Sequence, residues 1–303
     1  MDRLDAMATL LQVVQAGSLS EAARQLGMPL ATVSRRLSEL EAHLQVRVLN
    51  RSSRRLSLTD AGQLYIEACK RILDQVEDAE RSIAGVYQEP KGRLTVTAPV
   101  VFGRVHMIPI VAAFLEEYPD IDIKLVLADR MLDMLDSNID IAIRIGELAD
   151  SSLVATRVGA VRRVVCASPA YLARHGRPAT PQDLQSHVCV TFDNLASPET
   201  WRFAGPKADI TVPIRSRLTV TTAEAARDAV VGGLGLSCLL SYQIGESRRA
   251  GQIDVVLEEY ERPPWPVSVL HLGQELPPKR LRAFLDFMTP RLRARLAEEA
   301  TLF

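Results

Sequence analysis

The sequence lacks the long apolar runs of membrane proteins and the closely spaced cysteines of disulfide-rich or zinc-binding domains. No apolar stretch approaches the roughly 18 residues of a membrane-crossing helix. The N-terminus, MDRLDAMATLL, has acidic residues where a signal peptide has a cationic start and a continuous apolar core. The four cysteines are widely scattered and form no CxxC motif. We therefore expect a cytoplasmic protein without a disulfide framework or a zinc site.

Motifs of catalysis are also missing. The sequence contains no G-x-S-x-G, H-E-x-x-H or G-x-x-x-x-G-K-[ST] motif and no dinucleotide-binding fingerprint. The glycine-rich stretch GGLGLS at 232–237 follows a helical pattern, so it indicates a turn. The five histidines have no spacing that suggests a metal site. We expect a protein that is not an enzyme and that uses neither a cofactor nor a metal.

An excess of charge of one sign is absent from the chain as a whole. The 303 residues carry a net charge of −1, with 47% hydrophobic and 24% charged residues. This composition is typical of a soluble globular protein, and the length suggests two or three domains. Global attraction to nucleic acid is excluded, so any such binding must come from a local patch. Residues 20–60 form one, with seven arginines against four acidic residues.

Two short stretches with apolar residues at helical spacing lie in the first part of this patch. In the first, apolar residues recur at helical spacing from Leu19 to Leu26, and Gly27 then permits a tight break. In the second, Val33, Leu37, Leu40 and Leu44 share one face. Two helices joined in this way predict a helix-turn-helix. The outer face of the second helix presents polar side chains that can contact phosphates or base edges: Thr32, Ser34, Arg35 and Arg36.

A basic hairpin is predicted directly after these helices. Residues 46–49 and 56–59 alternate at period two, and the tip between them is RSSRR at 51–55. A basic hairpin beside a recognition helix is typical of a winged helix, in which the wing contacts the DNA backbone or the minor groove. The alternative is a solvated amphipathic helix followed by an ordinary hairpin.

The array AARQLGMPLATVSRRLSELEAHLQVRVLNRSSRRLSLTDAG resembles the DNA-binding domain of the LysR-type transcriptional regulators, and the rest of the chain matches the layout of that family. Three positions depart from the family pattern. Pro29 stands where a Ser or Thr cap is common, Leu30 where a polar residue often reads a base, and Gln45 where Gly is frequent. The expected DNA-binding residues are Ser18, Leu30, Ala31, Thr32, Ser34, Arg35, Arg36, Arg51, Arg54 and Arg55.

One long helix is predicted from Thr59 to about Val86. Thr59 is a suitable N-cap, and apolar residues follow at spacings of three and four, which indicates a coiled-coil-like seam. We expect this helix to mediate dimerisation, as it does in the family that the sequence resembles; the alternative is a helix docked on its own C-terminal domain. The seam consists of Tyr65, Ala68, Ile72, Val76, Ala79, Ile83 and Val86.

The predicted domains are a winged helix-turn-helix at 1–58, a linker helix at 59–87, a hinge at 88–92 and an α/β domain at 93–303. At the start of the last, strands alternate with helices, which predicts a parallel sheet covered on both faces. The overall fold class is therefore α/β, with an all-α winged N-terminal domain. The resemblance implies a two-lobed, type 2 periplasmic-binding-like effector domain, with one lobe at about 93–161 and 267–303 and the other at about 162–266.

A ligand-binding cleft is expected between the lobes, because α/β sheets bind ligands beyond the C-terminal ends of their strands. Three loops should converge there, one of them at a helix N-terminus that suits an anion. Ordinary packing is the alternative for the apolar members, an N-cap role for Thr222, and an ion pair with Glu147 for Arg144. The expected effector-binding residues are Pro99, Val100, Val101, Phe102, Arg144, Ile145, Gly146, Thr221 and Thr222.

The sequence thus predicts a sequence-specific DNA-binding transcriptional regulator controlled by a small-molecule effector. The expected partners are operator DNA, the effector, further copies of the chain in a dimer or tetramer, and RNA polymerase, with no membrane. One alternative is a small-molecule-binding or enzymatic α/β protein whose N-terminal helices serve association. Another is a regulator without an inducer, switched by concentration or by a thiol such as Cys166, whose pKa Arg162 and Arg163 would lower if the side chains converged.

Overall fold

The computed structural model describes residues 2–52, 55–83, 89–130, 132, 134, 137–148, 153–192, 200–273 and 277–301. The chain divides into two compact units, Met1–Glu89 and Pro90–Phe303. Each unit has its own hydrophobic core. Within the described ranges, no helix combines the length and the apolar character needed to cross a bilayer.

The first unit opens with three helices whose ends follow from local sequence. The Asp2 carboxylate accepts a hydrogen bond from Leu4 N at 2.9 Å and so caps the first helix, which ends where Gly17 takes a positive φ of 71°. The Ser18 hydroxyl caps the second helix. The third has no side-chain cap, because Pro29 stands at its N-cap position. The helices are α1 (Arg3–Ala16), α2 (Leu19–Gln25) and α3 (Leu30–Leu44).

The first wing strand begins three residues later than the alternating pattern predicted, and the second begins one residue earlier. They are β1 (Leu49–Ser52) and β2 (Arg55–Leu58), paired antiparallel, so only residues 53 and 54 lie between them. Residues 46–48 do not join the ladder because their backbone groups bond elsewhere. Val48 N donates to the Glu41 carboxylate, and Val48 O accepts from Thr59 N. The hairpin tip is therefore shorter than the sequence pattern suggested.

The long helix α4 (Asp60–Ile83) follows the wing. Its predicted N-cap is confirmed, since Thr59 Oγ1 accepts a hydrogen bond from Gly62 N at 2.9 Å. The predicted extension to Val86 lies outside the described residues. Ile66 and Cys69 of this helix are buried in the core of the first unit, together with Leu10, Val13 and Leu37.

The first sheet of the second unit has five strands in the order β4-β3-β5-β14-β6. Strands β4, β3 and β5 are parallel to one another, and β14 runs antiparallel to both of its neighbours, β5 and β6. The expectation of a parallel sheet is confirmed for the strands predicted at 93–98, 121–128 and 140–145, and the returning strand β14 adds an antiparallel member. The strands are β3 (Gly92–Ala98), β4 (Ile121–Leu127), β5 (Ile141–Ile145), β6 (Leu153–Val161) and β14 (Trp265–Leu272).

The second sheet has the order β11-β8-β12-β7-β13, and it too is mixed. Strands β11, β8 and β12 are parallel, and β7 pairs antiparallel with both β12 and β13. A hairpin of two further strands lies beside it. The strands are β7 (Arg163–Ala167), β8 (Val188–Phe192), β9 (Thr200–Phe203), β10 (Ile210–Pro213), β11 (Arg215–Val220), β12 (Leu236–Leu240) and β13 (Asp254–Val256).

The helix after β3 starts four residues earlier than predicted and contains one π-helical turn at Gly103–Met107. Asn138 has a φ of 53°, a left-handed conformation that asparagine tolerates. The short helix expected at 131–137 falls largely outside the described residues. The sequence pattern did not predict the strands β6, β9 and β13 or the helix at Ser241–Arg249. The helices of this unit are α5 (Val100–Phe102), α6 (Ile108–Glu117), α7 (Pro169–His175), α8 (Ala223–Val231), α9 (Ser241–Arg249) and α10 (Lys279–Ala300), and 3₁₀ turns lie at Pro181–Ser186 and Glu258–Tyr260.

The chain passes from the first sheet to the second between Val161 and Arg163, and it returns between Val256 and Trp265. Arg162 anchors this crossing. Its backbone carbonyl accepts from Ser241 N at 2.8 Å, and its guanidinium binds Glu258 and Glu261. The crossing places the start of α9 beside the helix that begins at Val100, since Tyr242 of α9 packs against Phe102.

Candidate nucleic-acid interface and ligand cleft

The outer face of α3 is the exposed surface of the helix-turn-helix. Val33, Leu37 and Leu40 are fully buried, which fixes the orientation of the helix. At about 100° per residue, the opposite direction is that of Ala31 and Arg35, followed by Ser38 and Ala42; all four are exposed. The side chain of Arg35 is 71% exposed, and its Nη1 lies 3.7 Å from Glu39 Oε1. Arg35 is thus the cation that this face presents outward.

The other expected contacts in this region occupy different positions. Leu30 is 47% exposed at the first turn of α3, and Thr32 and Ser34 flank the outer face half-buried. The Ser18 hydroxyl accepts a hydrogen bond from Glu21 N at 3.1 Å, so it serves as the N-cap of α2.

Arg36 departs from the expectation that it faces outward with Arg35. Its guanidinium turns towards α1, where Nη2 lies 3.3 Å from Asp5 Oδ2 and Nη1 lies 3.4 Å from Thr9 Oγ1. One residue along a helix rotates the side chain by about 100°, so neighbours cannot share one face. Only 26% of the Arg36 side chain is exposed, and the contact ties α3 to α1.

The wing is held against both α3 and α4 by backbone contacts. Glu41 Oε1 of α3 accepts hydrogen bonds from Val48 N at 3.0 Å and from Leu49 N at 3.2 Å. On the other side, the Thr59 hydroxyl donates to Arg47 O at 2.7 Å. Sequence reasoning missed the role of Glu41. Arg51 and Arg55 lie in the two wing strands, while their side chains and the whole of Arg54 lie outside the described part of the structure.

Part of the predicted apolar seam of α4 is packed against the core of the first unit and is not available to a partner. Tyr65 and Ile72 are half-buried and pack on the core of the first unit, and Ala68 and Val76 are also half-buried. The side chains of Ala79, Ile83 and Val86 lie outside the described residues. Leu64, which the seam did not include, is 79% exposed and is the most exposed large apolar side chain described on this helix.

The first predicted cleft loop is largely packed. Pro99 and Val100 are half-buried, and Val100 N donates to Asp129 Oδ1 at 3.0 Å. Val101 is 2% exposed, and Phe102 is fully buried. Its ring lies 4.7 Å from His106 and 5.3 Å from Tyr242, so the packing alternative holds for the Phe102 side chain in this structure.

The second predicted loop ends β5. Arg144 is half-buried, and its guanidinium donates to two backbone oxygens, Ile143 O at 3.1 Å and Leu132 O at 3.4 Å. Burial lowers the pKa of Arg144. Within the described ranges it forms no ion pair, with Glu147 or with any other acid. Ile145 is half-buried, and Gly146 has a φ of 108°, a conformation that favours glycine.

The third predicted loop is exposed. Thr221 and Thr222 both face solvent, and Thr222 Oγ1 accepts from Ala225 N at 3.2 Å, which confirms its role as the N-cap of α8. Glu224 in the first turn of α8 lies 3.9 Å from Arg104, so this helix approaches the one that begins at Val100.

A cavity of about 350 Å³ lies close to these loops, at the side of the π-helical turn. Of the predicted effector residues, only Val101 lines it. Polar side chains dominate its wall, among them Arg104, His106, Arg295 and Glu299. One feature of the sequence could have indicated this site: His106 follows Phe102 by four residues and so lies on the same inward face of the helix.

The cysteines do not form the arrangement that a low-pKa thiol requires. Arg163 Nε lies 3.1 Å from Cys238 Sγ and not beside Cys166, and Arg162 is engaged by Glu258 and Glu261. Burial raises the pKa of all four thiols, to about 11 for Cys69 and to about 12 for Cys189. Arg162 and Arg163 therefore do not converge on Cys166, so the condition for a lowered thiol pKa is not met.

A winged helix-turn-helix followed by a two-sheet α/β domain defines a DNA-binding regulator with a ligand-binding domain. Residues 4–63 match the bacterial regulatory helix-turn-helix protein, lysR family, and residues 87–293 match the LysR substrate binding domain. The chain therefore belongs to the LysR family of transcriptional regulators. Members of this family bind DNA through the helix-turn-helix, bind small-molecule effectors and are oligomeric.

Individual relatives extend over the whole chain. The probable HTH-type transcriptional regulator LtrA of Klebsiella pneumoniae is 33% identical over 306 residues, covering 99% of this chain and 99% of that protein. The HTH-type transcriptional activator AaeR of Escherichia coli is 31% identical over 95% of this chain and 94% of its own length. The structure of CrgA, a LysR-type transcriptional regulator from Neisseria meningitidis, has a TM-score of 0.62 at 33% identity and covers 95% of this chain and 98% of that one. These relatives are regulators, so the enzymatic alternative is set aside.

Proposed function

We propose that this regulator reads its operator through the outer face of α3, with Arg35 as the principal base-contacting side chain. The observation that carries this assignment is the orientation of the helix. Val33, Leu37 and Leu40 bury the inner face, and Arg35 is 71% exposed on the opposite side. An arginine at such a position can donate two hydrogen bonds to a guanine in the major groove. Ala31, Thr32 and Ser34 border the same face, and Leu30 offers an apolar contact.

The wing arginines 51, 54 and 55 complete this surface as contacts to the flanking backbone or the minor groove. They follow a segment that Glu41 fixes against α3, so the wing starts from a defined place beside the recognition helix. Arg36 stabilises the head from inside through Asp5 and Thr9. Ser18 acts through the N-cap of α2, which sets the direction of the helix that precedes the turn.

Two such heads bind one pseudo-palindromic site, each head on one half-site. The exposed Leu64 and the half-buried Ala68 and Val76 support α4 as the dimerisation helix, because at spacings of four and eight they form an apolar stripe along the helix. The assembly is a dimer or a tetramer. A regulator of this kind acts in the cytoplasm, where it meets DNA and RNA polymerase.

The effector binds in the second unit and biases the geometry of the assembly on DNA, because it favours one arrangement of the two sheets. Arg144 supports the predicted cleft, since its half-buried guanidinium has no acidic partner in the described ranges and so keeps its charge available to an anion. The backbone of the loop from Pro99 and the hydroxyl groups of Thr221 and Thr222 offer further polar contacts.

The test compares two adjacent arginines. Fluorescence anisotropy would measure binding of the wild type, Arg35→Ala and Arg36→Ala to the DNA upstream of the protein's own gene and to scrambled DNA over a salt series. Arg35→Ala should lose about 1–3 kcal/mol of specific binding, because it removes a base contact. Arg36→Ala should keep the preference for the operator over scrambled DNA.

The wild type should also show a steep decrease of affinity with salt, because its cations displace counterions from phosphates. If Arg35→Ala retained full sequence discrimination while Arg36→Ala lost it, the assignment of the two side chains would be reversed. If neither the wild type nor the variants discriminated, a search over random DNA would establish whether a different operator is recognised.

A further inference from the structure

The cavity beside the π-helical turn contains buried polar atoms without hydrogen-bond partners. The His106 side chain is 4% exposed and the Glu299 side chain 11% exposed. Nε2 of His106 lies 2.9 Å from Oε2 of Glu299, an ion-pair distance that does not meet hydrogen-bond geometry. Within the described part of the chain, both ring nitrogens, both carboxylate oxygens and Nε of Arg295 make no hydrogen bond. Buried polar atoms are normally paired, so this concentration at one cavity wall indicates a site for a polar ligand.

Three separate segments bring these groups together. The π-helical turn at Gly103–Met107 directs His106 inward, and such turns are frequent at functional sites. Tyr242 of α9 packs on His106 at 5.8 Å and adds a wall from the second sheet. Arg295 and Glu299 belong to α10, which closes the cavity from the C-terminal side. A ligand here would contact segments on both sides of the crossing between the first sheet and the second.

The atoms without hydrogen-bond partners need hydrogen-bond donors at one point of the cavity wall and an acceptor at a neighbouring point. A carboxylate only accepts hydrogen bonds and has lone pairs for several donors, so the Glu299 and His106 end lacks donors. A ligand ammonium group provides three donors and no acceptor. The Arg295 end has the reverse deficit, because Nε carries an unused N–H while Nη2 already donates to Val105 O at 2.9 Å. A ligand carboxylate would accept from it.

The spacing of the two points limits the ligand further. Arg295 and Glu299 stand four residues apart on α10, so their side chains leave the helix about 6 Å from each other. The two opposite charges of the ligand must then be close together, as they are on adjacent groups of an α-amino acid. Arg104 and Arg227 at the wall are already paired with Glu224 and Asp228. The cavity volume of about 350 Å³ lies within the range of small-molecule sites.

We propose that this cavity is a binding site for a free α-amino acid, whose ammonium group is held by Glu299 and His106 and whose carboxylate is held by Arg295. The site is separate from the predicted effector cleft, with Val101 as the single shared residue. It gives the regulator a second input that acts on the helix following β3 and on α9.

The test uses the full-length protein in the absence of DNA, so that its result does not depend on operator recognition. Thermal unfolding would be measured with each standard L-amino acid at about 10 mM, a concentration at which even millimolar binding stabilises the folded state. For each ligand that raises Tm, titration calorimetry would compare the amino acid with its α-keto acid and with its decarboxylated amine. At least one amino acid should bind, and both analogues should bind at least about tenfold more weakly, because each leaves one buried polar group unpaired.

The variants are Glu299→Gln, Arg295→Lys and the control Asp286→Asn, which removes an exposed carboxylate from the same helix. Glu299→Gln and Arg295→Lys should each weaken amino acid binding at least about tenfold, and Asp286→Asn should leave it within about twofold. Arg295→Lys keeps the charge and so tests the site even if Glu299→Gln folds poorly. The proposal is overturned if no amino acid raises Tm, if the keto acid binds as tightly, or if both cavity variants bind like the control.

Discussion

The outer face of α3 and the cavity beside the π-helical turn use polar side chains in opposite ways. Arg35 is solvent-exposed on a single helix whose orientation three neighbouring apolar residues determine. His106 is buried and Arg295 and Glu299 are half-buried, and the three meet only because segments nearly two hundred residues apart in sequence fold together. The first surface depends on contacts within the first unit. The second depends on the tertiary structure of the whole second unit.

This difference means that the two sites should be separable by experiment. Both tryptophans, Trp201 and Trp265, lie in the second unit, so their fluorescence reports on that unit alone. Far-UV circular dichroism reports on the helices of both units. A substitution that disturbs only the winged helix should therefore change the dichroism transition and DNA binding, with the tryptophan transition unchanged.

Gly62→Ala should produce the largest effect. A Cβ at Gly62 would lie 2.0 Å from Val48 O, so α4 and the segment before the wing cannot keep their present approach. We expect a loss of about 3 kcal/mol in the stability of the first unit, the upper end of the cost of overpacking. Urea unfolding followed by circular dichroism and by tryptophan fluorescence would measure it.

The control is Gly245→Ala, because a Cβ at Gly245 meets no atom within 4 Å. This variant should be neutral or stabilised by about 0.5 kcal/mol, since alanine favours the helix. A tryptophan transition that moved together with the dichroism transition in Gly62→Ala would show that the two units unfold as one, and the proposed separation would be lost.

Glu41→Ala should have the next largest effect. The Glu41 carboxylate accepts two backbone hydrogen bonds, from Val48 N and Leu49 N, and its loss leaves both donors unpaired. We expect a loss of about 2 kcal/mol and weaker DNA binding, because the wing would lose its attachment to α3. Glu39→Ala is the matched control, because the ion pair that the described residues give Glu39 is with the exposed Arg35 at 3.7 Å. Equal losses in the two variants would contradict the role of Glu41.

The same comparison explains which features the sequence predicted. The helices around Leu37 and the strands around Val96 and Val190 repeat their apolar residues at a regular period, so local pattern was sufficient. The start of the wing was misplaced because Val48 bonds to Glu41 and Thr59, contacts that no periodicity records. The prediction that Arg36 faces outward was wrong because its guanidinium pairs with Asp5, which belongs to another helix.

The missed features are those that depend on tertiary contacts. Helix α9 buries Ser241, Gln243 and Ser247, so it has no apolar stripe from which to predict it. The strand β6 has a weak alternation, and Gly159 in it packs against Leu296 of α10. The cavity could not be predicted from sequence because none of its three segments forms a motif alone. The effector residues were placed by strand ends, and they approach this cavity only at Val101.

Gln45→Gly should give the smallest effect and the one of opposite sign. Gln45 ends α3 with a φ of 55° and a ψ of 24°, a left-handed conformation that glycine adopts without the steric cost of a Cβ. Glycine avoids this steric cost of about 1–2 kcal/mol in a left-handed residue. Its greater entropy in the unfolded chain offsets part of that gain in stability. We expect the first unit to gain about 0.5–1 kcal/mol, seen as a dichroism transition at higher urea with an unchanged tryptophan transition. A loss of stability would mean that the Gln45 side chain makes contacts that outweigh its backbone strain, and that the exchange of glycine for glutamine at this helix end is a gain for the fold.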